Sequence, residues 1–186
     1  MKKTLIVGVT GASGSIYALN LMKVLAAADW QVELVMTPMG ERVFTYETGV
    51  ARDTLSSKIR FHDNENLFSA LSSGSYKVHG MIVVPCSMNT LGLMAAGTGS
   101  HLLARAAQVT LKERRPLVIV PRETPCNIIH LENMLRLARA GATIMPASPG
   151  FYHKPKDIHD LVKHMVGKIL DQFDIEHALF PRWQGR

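Results

Sequence analysis

The sequence predicts an α/β domain in which a mostly parallel sheet is covered by helices on both faces. Apolar runs rich in Val, Ile and Leu recur as continuous blocks, which is how strands buried on both faces read. Segments with apolar residues at helical spacing lie between them, so strand and helix alternate. Each run also ends in a polar or glycine-bearing loop.

The first strand is Leu5 to Val9. A turn of small residues, Thr10-Gly-Ala-Ser-Gly-Ser15, follows it, and Tyr17, Leu21, Val24, Leu25 and Ala28 then share one helical face. Gly8, Gly11 and Gly14 are spaced G-x-x-G-x-x-G, not as the dinucleotide G-x-G-x-x-G. Strand, glycine turn and helix form the architecture of a nucleotide-phosphate site, because glycines let backbone amides approach an anion and the helix N-terminus favours negative charge. The same turn also occurs in α/β proteins that bind nothing there. Ser13 would point a hydroxyl at a ligand in such a turn.

Gln31 to Met36 is the second strand, Thr37-Pro-Met-Gly40 its exit loop, and 41–47 a short helix. The stretch from Thr48 to Val78 is polar and weakly periodic; it predicts loops, a short strand at Ile59 to Phe61 and a helical turn near Leu67 to Leu71. Gly80 to Pro85 is a buried strand, followed by the loop Cys86-Ser-Met-Asn-Thr90 and helices over 91–96 and 101–114. Pro116 to Val120 is the next strand. Leu131, Met134, Leu135 and Ala138 form a helical face, Gly141 its C-cap and Ala142 to Met145 the last strand. Asp157 caps a final helix whose apolar face runs from Ile158 to Phe173. One domain over 1–186 is expected, with a tail of about 174–186 packing on it or on a neighbouring subunit.

Bulk properties exclude several classes. With 186 residues and 47% apolar content the chain can bury a core. The formal charge of +6 is spread out, with one tight basic cluster at Lys112-Glu-Arg-Arg115, so anionic small molecules fit better than nucleic acid. Cys86 and Cys126 have no metal spacing and suit a reducing cytosol. The eight histidines form no metal pattern, and no metal site is expected. The basic start Met1-Lys-Lys is followed by an apolar run that breaks at Gly8, unlike a signal peptide. No apolar stretch approaches the roughly 18 residues of a membrane span.

Ligands in parallel sheets bind beyond the carboxyl ends of the strands. Five exits should therefore share one edge: Gly11 to Gly14, Thr37-Pro, Pro85 to Thr90, Pro121-Arg-Glu123 and Pro149-Gly-Phe-Tyr152. At these exits the sequence resembles the flavin prenyltransferase family. The resemblance rests on Thr10-Gly-Ala-Ser-Gly14, Glu47, Pro85-Cys-Ser-Met-Asn-Thr-Leu91, Arg105-Ala-Ala, Leu111-Lys-Glu-Arg-Arg-Pro-Leu117, Pro121-Arg-Glu-Thr-Pro125, His130-Leu-Glu-Asn-Met-Leu135, Pro149-Gly-Phe-Tyr-His-Lys-Pro155 and Arg182-Trp-Gln-Gly185, in order across nearly the whole chain. It implies a three-layer αβα Rossmann-like or flavodoxin-like fold and a cytoplasmic dodecamer with flavin at subunit contacts. It implies transfer of a dimethylallyl group from dimethylallyl monophosphate to N5 and C6 of reduced FMN without a metal, for a cognate decarboxylase.

The resemblance also implies roles. Gly11, Ala12, Ser13, Thr37, Ser87, Met88, Asn89, Thr90 and Arg122 would hold FMN. Arg105, Lys112, Arg122, Tyr152, Lys168 and Trp183 would hold the prenyl phosphate. Ser13, Glu47, Lys112 and Glu123 would be catalytic, Ser13 as a proton relay near N5. The chemistry suits these types: an ionising allylic phosphate needs cations, donors and a proton source, and a developing allyl cation is stabilised by an aromatic face. A phosphate beside Glu123 would raise its pKa toward proton donation. Plainer readings stand beside these. Arg105 and Lys112 could be solvated helix charges, Glu47 an exposed helix glutamate, Arg122–Glu123 a structural pair, Lys168 a snorkelling lysine and Trp183 a packed tail aromatic. The family of cysteine-peptide and phosphopantothenoylcysteine decarboxylases shares FMN but carries Pro-x-Met-Asn-x-x-Met-Trp where this chain has Pro85-Cys-Ser-Met-Asn-Thr-Leu-Gly92. A flavin carrier subunit would need the FMN residues alone.

Overall fold

The computed structural model describes residues 3–185; Met1 and Lys2 of the basic start and Arg186 of the tail lie outside them. Among the described residues the elements run β1 (Thr4–Val9), α1 (Ser15–Ala27), β2 (Gln31–Met36), α2 (Pro38–Thr48), β3 (Ile59–His62), β4 (Met81–Cys86), α3 (Met88–Ala95), α4 (Leu102–Lys112), β5 (Leu117–Pro121), α5 (Ile128–Arg139), β6 (Thr143–Ile144) and α6 (Ile158–Asp171). The six strands form one sheet in the order β3-β2-β1-β4-β5-β6, and every neighbouring pair is parallel.

The apolar runs are continuous because both sheet faces are covered. Alternate residues of β1 point opposite ways. Leu5, Val7 and Val9 pack with α1 and α6, and Ile6 packs with residues of α3 and α4. Gly8 lies under α4, where an added Cβ would stand 3.1 Å from Leu103.

Several boundaries differ from the sequence expectation, each for a local reason. α2 begins at Pro38 rather than 41, because Thr37 caps it by accepting from the Gly40 N–H and Pro38 fits the first helical position. α3 begins at Met88, inside the expected loop, because Ser87 accepts from the Thr90 N–H. Of the apolar face expected on α5, Met134 packs half-buried on the core, but Leu131 and Leu135 are each 50% exposed, and the buried residue is Leu137. Helical spacing marks an apolar face but not what covers it.

The polar middle is held by its polarity. Glu33 of β2 is 1% exposed, and its carboxylate meets His62 Nε2 at 2.6 Å and accepts from the Tyr76 hydroxyl at 2.8 Å. His62 Nδ1 bonds the Ser69 hydroxyl, and Arg115 donates to the carbonyls of Gly74 and Tyr76. The crossover from β3 to β4 is thereby tied down without an α-helix; it holds one 3-10 turn, Ala70–Ser72, close to the helical turn expected near Leu67 to Leu71. At the other end, the tail packs on α6. Gly167 leaves room for Phe180, which would stand 2.5 Å from an added Cβ, and Arg182 makes two bonds to Asp171.

Candidate active site

β1 and β4 are neighbours whose onward connections leave in opposite directions, so a crevice opens beyond their ends. The Thr10 hydroxyl donates to the Pro85 carbonyl at 2.9 Å and accepts from the Ser87 N–H at 2.7 Å, which ties the two exits together. A cleft of about 530 Å³ lies beside them. Its walls are Gly11 from the β1 exit, Thr37, Pro38 and Met39 from the β2 exit, Ser87, Asn89, Thr90 and Leu93 from α3, and Asn64, Glu65 and His101. Gly40 is essential to this shape: a Cβ there would sit 2.4 Å from the Val9 carbonyl oxygen, so only glycine lets α2 begin against the end of β1.

The glycine loop is held from two sides. Gly14 adopts φ 108° and gives α1 no cap of its own. The Glu47 carboxylate, from α2, supplies one by accepting from the N–H groups of Gly14 at 2.9 Å and Ser15 at 2.8 Å. Partial burial pushes the Glu47 carboxyl up, but hydrogen bonds from the Ser13 hydroxyl and these amides outweigh it and hold the group below the usual glutamate range. Read as a candidate acid from sequence, Glu47 is instead a carboxylate poised to accept from Ser13. On the other side, Arg122 Nε donates to the Ser13 carbonyl at 3.2 Å. Ala12 and Met88 are buried beneath the loops, and Glu123 is exposed next to Arg122.

The remaining predicted residues do not join this cleft within one chain. Arg105 lines a separate cleft of about 510 Å³ with Ser72, Gly99 and Gln108, and its Nε donates to the Ser72 carbonyl. Lys112 pairs with Glu113 at the last turn of α4, which leads into the start of β5; that is the sheet edge opposite the cleft. Lys168 lies 3.8 Å from Asp171 near the end of α6, and Phe173 just beyond packs at Gly80 and Pro116, again at the strand-entry edge. Tyr152 and Trp183 meet edge to face, with centroids 5.9 Å apart, and both are exposed.

A profile of the Flavoprotein family matches residues 1–170. A flavin prenyltransferase, UbiX, of Alkalihalophilus pseudofirmus is 46% identical over 196 aligned positions, which cover 98% of this chain and 97% of that protein. The chain belongs to the flavin prenyltransferase family. Solved structures agree. The crystal structure of AnUbiX (PadA1) in complex with FMN and dimethylallyl pyrophosphate has a TM-score of 0.97 at 40% identity, covering 100% of both chains. The dodecameric FMN-dependent UbiX-like decarboxylase from Escherichia coli O157:H7 has a TM-score of 0.94 at 42% identity, covering 98% of this chain and 100% of that one.

The cleft fits the flavin nucleotide of such a prenyltransferase. Its volume lies in the range of roughly 300–1,000 Å³ typical of cofactor sites. The first amides of α3 have no intrahelical acceptor and suit a phosphate, while Thr37, Ser87, Asn89 and Thr90 offer polar groups along the wall. Sequence reasoning had Pro38 and Met39 only as part of the loop after Thr37, and missed Asn64, Glu65, Leu93 and His101. Asn64 and Glu65 follow β3, so counting that short strand's exit with the other five would have found them. Nothing in the local pattern marks His101.

Proposed function

We propose that the chain transfers a dimethylallyl group from dimethylallyl monophosphate to reduced FMN, in an active site completed by neighbouring copies. The observation that carries this reading is the glycine loop held between Glu47 and Arg122, which presents one hydroxyl, Ser13, with a carboxylate behind it. Reduced FMN supplies the N5 and C6 atoms that accept the five-carbon unit. Gly11, Ala12, Ser13, Thr37, the Ser87–Thr90 turn and Arg122 hold it. Ser13 passes a proton from the acceptor side to Glu47.

On the donor side the leaving phosphate needs positive charge and a proton. Arg105, Lys112, Arg122, Tyr152 and Lys168 supply cations and donors to it directly. Glu123 protonates it, and Trp183 walls the prenyl chain. Because Lys112 and Lys168 lie at the sheet edge opposite the cleft, they serve the cleft of another copy. Exposed apolar residues support such an assembly: Ile128, Ile129, Leu131 and Leu135 on α5, and Phe151 and Trp183, are all at least half exposed. A dodecamer, as in the Escherichia coli relative, accommodates this. The product serves a prenyl-FMN-dependent decarboxylase. One domain over 1–186 is supported by the tail's bonds to α6, and a reducing cytoplasm suits the two free thiols. No helix among the described residues is long and apolar enough to cross a membrane.

The deciding experiment mixes purified protein, reduced FMN and dimethylallyl monophosphate anaerobically without metal, then measures the mass and absorbance of the extracted flavin. A flavin heavier by one five-carbon unit is expected. Unchanged FMN on correctly loaded protein would overturn the reading.

A further inference from the structure

Tyr152 is exposed, yet a buried histidine fixes where it stands. His164 of α6 is 6% exposed, whereas Tyr152 is 45% exposed. The His164 Nδ1 accepts from the Gly150 N–H at 3.3 Å. Among the described residues this is the hydrogen bond that ties the stretch 149–155 to another element; the Lys154 N–H turns back to the Phe151 carbonyl within it. Gly150 lets the chain fold back here, because an added Cβ would stand 3.2 Å from the Tyr152 ring and 3.3 Å from the His164 ring. The two rings meet edge to face, with centroids 5.5 Å apart. The His153 ring stacks on His164 at 5.0 Å, and Phe180 of the tail lies at 4.8 Å. One imidazole therefore holds both the backbone and the phenol of the Tyr152 loop, from a helix whose Met165, Val166 and Ile169 are set in the core.

We infer that neutral His164 is a positioning residue for the donor side: it holds the 149–155 loop so that the Tyr152 hydroxyl meets the prenyl phosphate. The inference rests on Tyr152 donating to that phosphate, as proposed for the function. Because Nδ1 accepts, the neutral ring carries its proton on Nε2. A second proton lands on Nδ1, turns the acceptor into a donor facing another donor, and releases Gly150. The surroundings set when this happens. On α6, Lys168 stands one turn on from His164 with Asp171 beyond it, and Asp160, one turn before, is paired with Lys163. The loop contributes His153 and Tyr152. The tail's His177 and Arg182 are both spent on Asp171. Burial, His153 and Lys168 disfavour a charge on His164, Asp171 favours it, and the balance holds the group below the usual histidine range. The sign follows: the loop is fully held above the ordinary histidine value of about 6.5 and is progressively released as pH falls below it.

The test uses full-length, FMN-loaded protein and reads kcat/KM for dimethylallyl monophosphate from pH 5.5 to 7.5. His164→Phe keeps a ring against Tyr152 and removes the acceptor. At pH 7.5 it should lower kcat/KM about ten-fold, the size of one buried donor left unpaired, with FMN affinity within two-fold of wild type. In a Tyr152→Phe background the same change should cost less than two-fold, because no hydroxyl is left to position. A ten-fold loss in both backgrounds would make His164 a packing residue and overturn the inference, as would no loss in either. His164→Asn places an oxygen near the Nδ1 position that does not titrate. The ratio of wild type to this variant should fall about three-fold from pH 7.5 to 5.5, and the titration of the donor phosphate cancels in that ratio. A ratio flat with pH would also overturn the inference. If neither His164 variant folds, wild type is compared with Tyr152→Phe, using inorganic sulfate, whose charge is constant over this range, as the competing anion. The tighter sulfate inhibition that the Tyr152 hydroxyl provides should shrink toward pH 5.5; a constant advantage would count against His164. Failure of the underlying reading looks different. Wild type that transfers nothing, or Tyr152→Phe with undiminished kcat/KM, would sink the role of Tyr152 and this inference with it, whereas a Tyr152→Phe loss that the His164 variants do not share would sink this inference alone.

Discussion

Ser13, Thr37, Ser87 and Arg122 are each tied by a hydrogen bond to another strand exit of their own chain, Arg122 Nε to the Ser13 carbonyl, the Thr37 N–H to the Val9 carbonyl and the Ser87 N–H to the Thr10 hydroxyl, close to one cleft. Arg105, Lys112, Tyr152, Lys168 and Trp183 are spread over α4, the loop before α6, α6 and the tail, and none lines that cleft. The contrast separates binding the flavin from bringing a prenyl phosphate to it. The cleft proposed for the flavin is walled by one folded chain, because the strand exits converge by topology. In the proposed reading the second needs surfaces on opposite edges of the sheet to meet, which one chain cannot do with itself.

The largest expected effect breaks the donor side alone. Lys112→Ala and Tyr152→Phe should each lower prenyl transfer at least about 100-fold, as removal of a transition-state donor does. FMN affinity should stay within two-fold, read by fluorescence titration. Mixing subunits sharpens the comparison. Lys112→Ala and Ser13→Ala, refolded together, should recover part of the activity that each homogeneous oligomer lacks, and no recovery would place both residues in one chain's site. Glu123→Gln should abolish turnover with FMN still bound; intact delivery of active cofactor by that variant would favour a carrier.

A smaller effect breaks the flavin side sterically. Gly40→Ala forces a methyl against the Val9 carbonyl and should destabilise the fold by about 1–3 kcal/mol while weakening FMN binding, visible as a lower Tm in apo and loaded protein. Glu47→Gln should cost about 1 kcal/mol through the α1 cap and slow transfer through Ser13, leaving the donor side untouched.

The pH dependence of stability provides a control outside both regions. Burial raises the Glu33 carboxyl, but His62 and Tyr76 outweigh that and hold it below its usual range. Its contribution is therefore present above the ordinary glutamate value of about 4.3 and is lost as pH falls through the lower folded value. Glu33→Gln should lower the denaturation midpoint at pH 7 and flatten its fall between about pH 5 and 3, measured by chemical unfolding.

Much of this architecture was legible in the residues. Continuous apolar runs revealed β1, β4 and β5, since burial on both faces leaves no polar alternation to confuse them, and β2 was legible despite Gln31 and Glu33 within it. Thr37, Ser87, Asn89, Thr90 and Gly11 were legible as exit residues and line the cleft. The crossover after β3 was legible only as loops and one helical turn, because its order comes from Glu33, His62, Tyr76 and Arg115, partners up to 43 positions apart in the chain. The residues alone left Glu47 open between a candidate acid and an exposed helix glutamate, because the amides it caps lie 32 and 33 residues away.

The sequence by itself determined the alternation of strands and helices, the polar exits on one edge and, through its motifs, the family. These are local quantities: periodicity, turn chemistry and short blocks of residues. Only the tertiary structure decided that Glu47 caps α1, that His101 and Asn64 wall the cleft, that Leu131 and Leu135 face outward, and that Lys112 lies at the sheet edge opposite the cleft. Each of those depends on which distant segments pack together, and spacing along a chain carries no direct record of that.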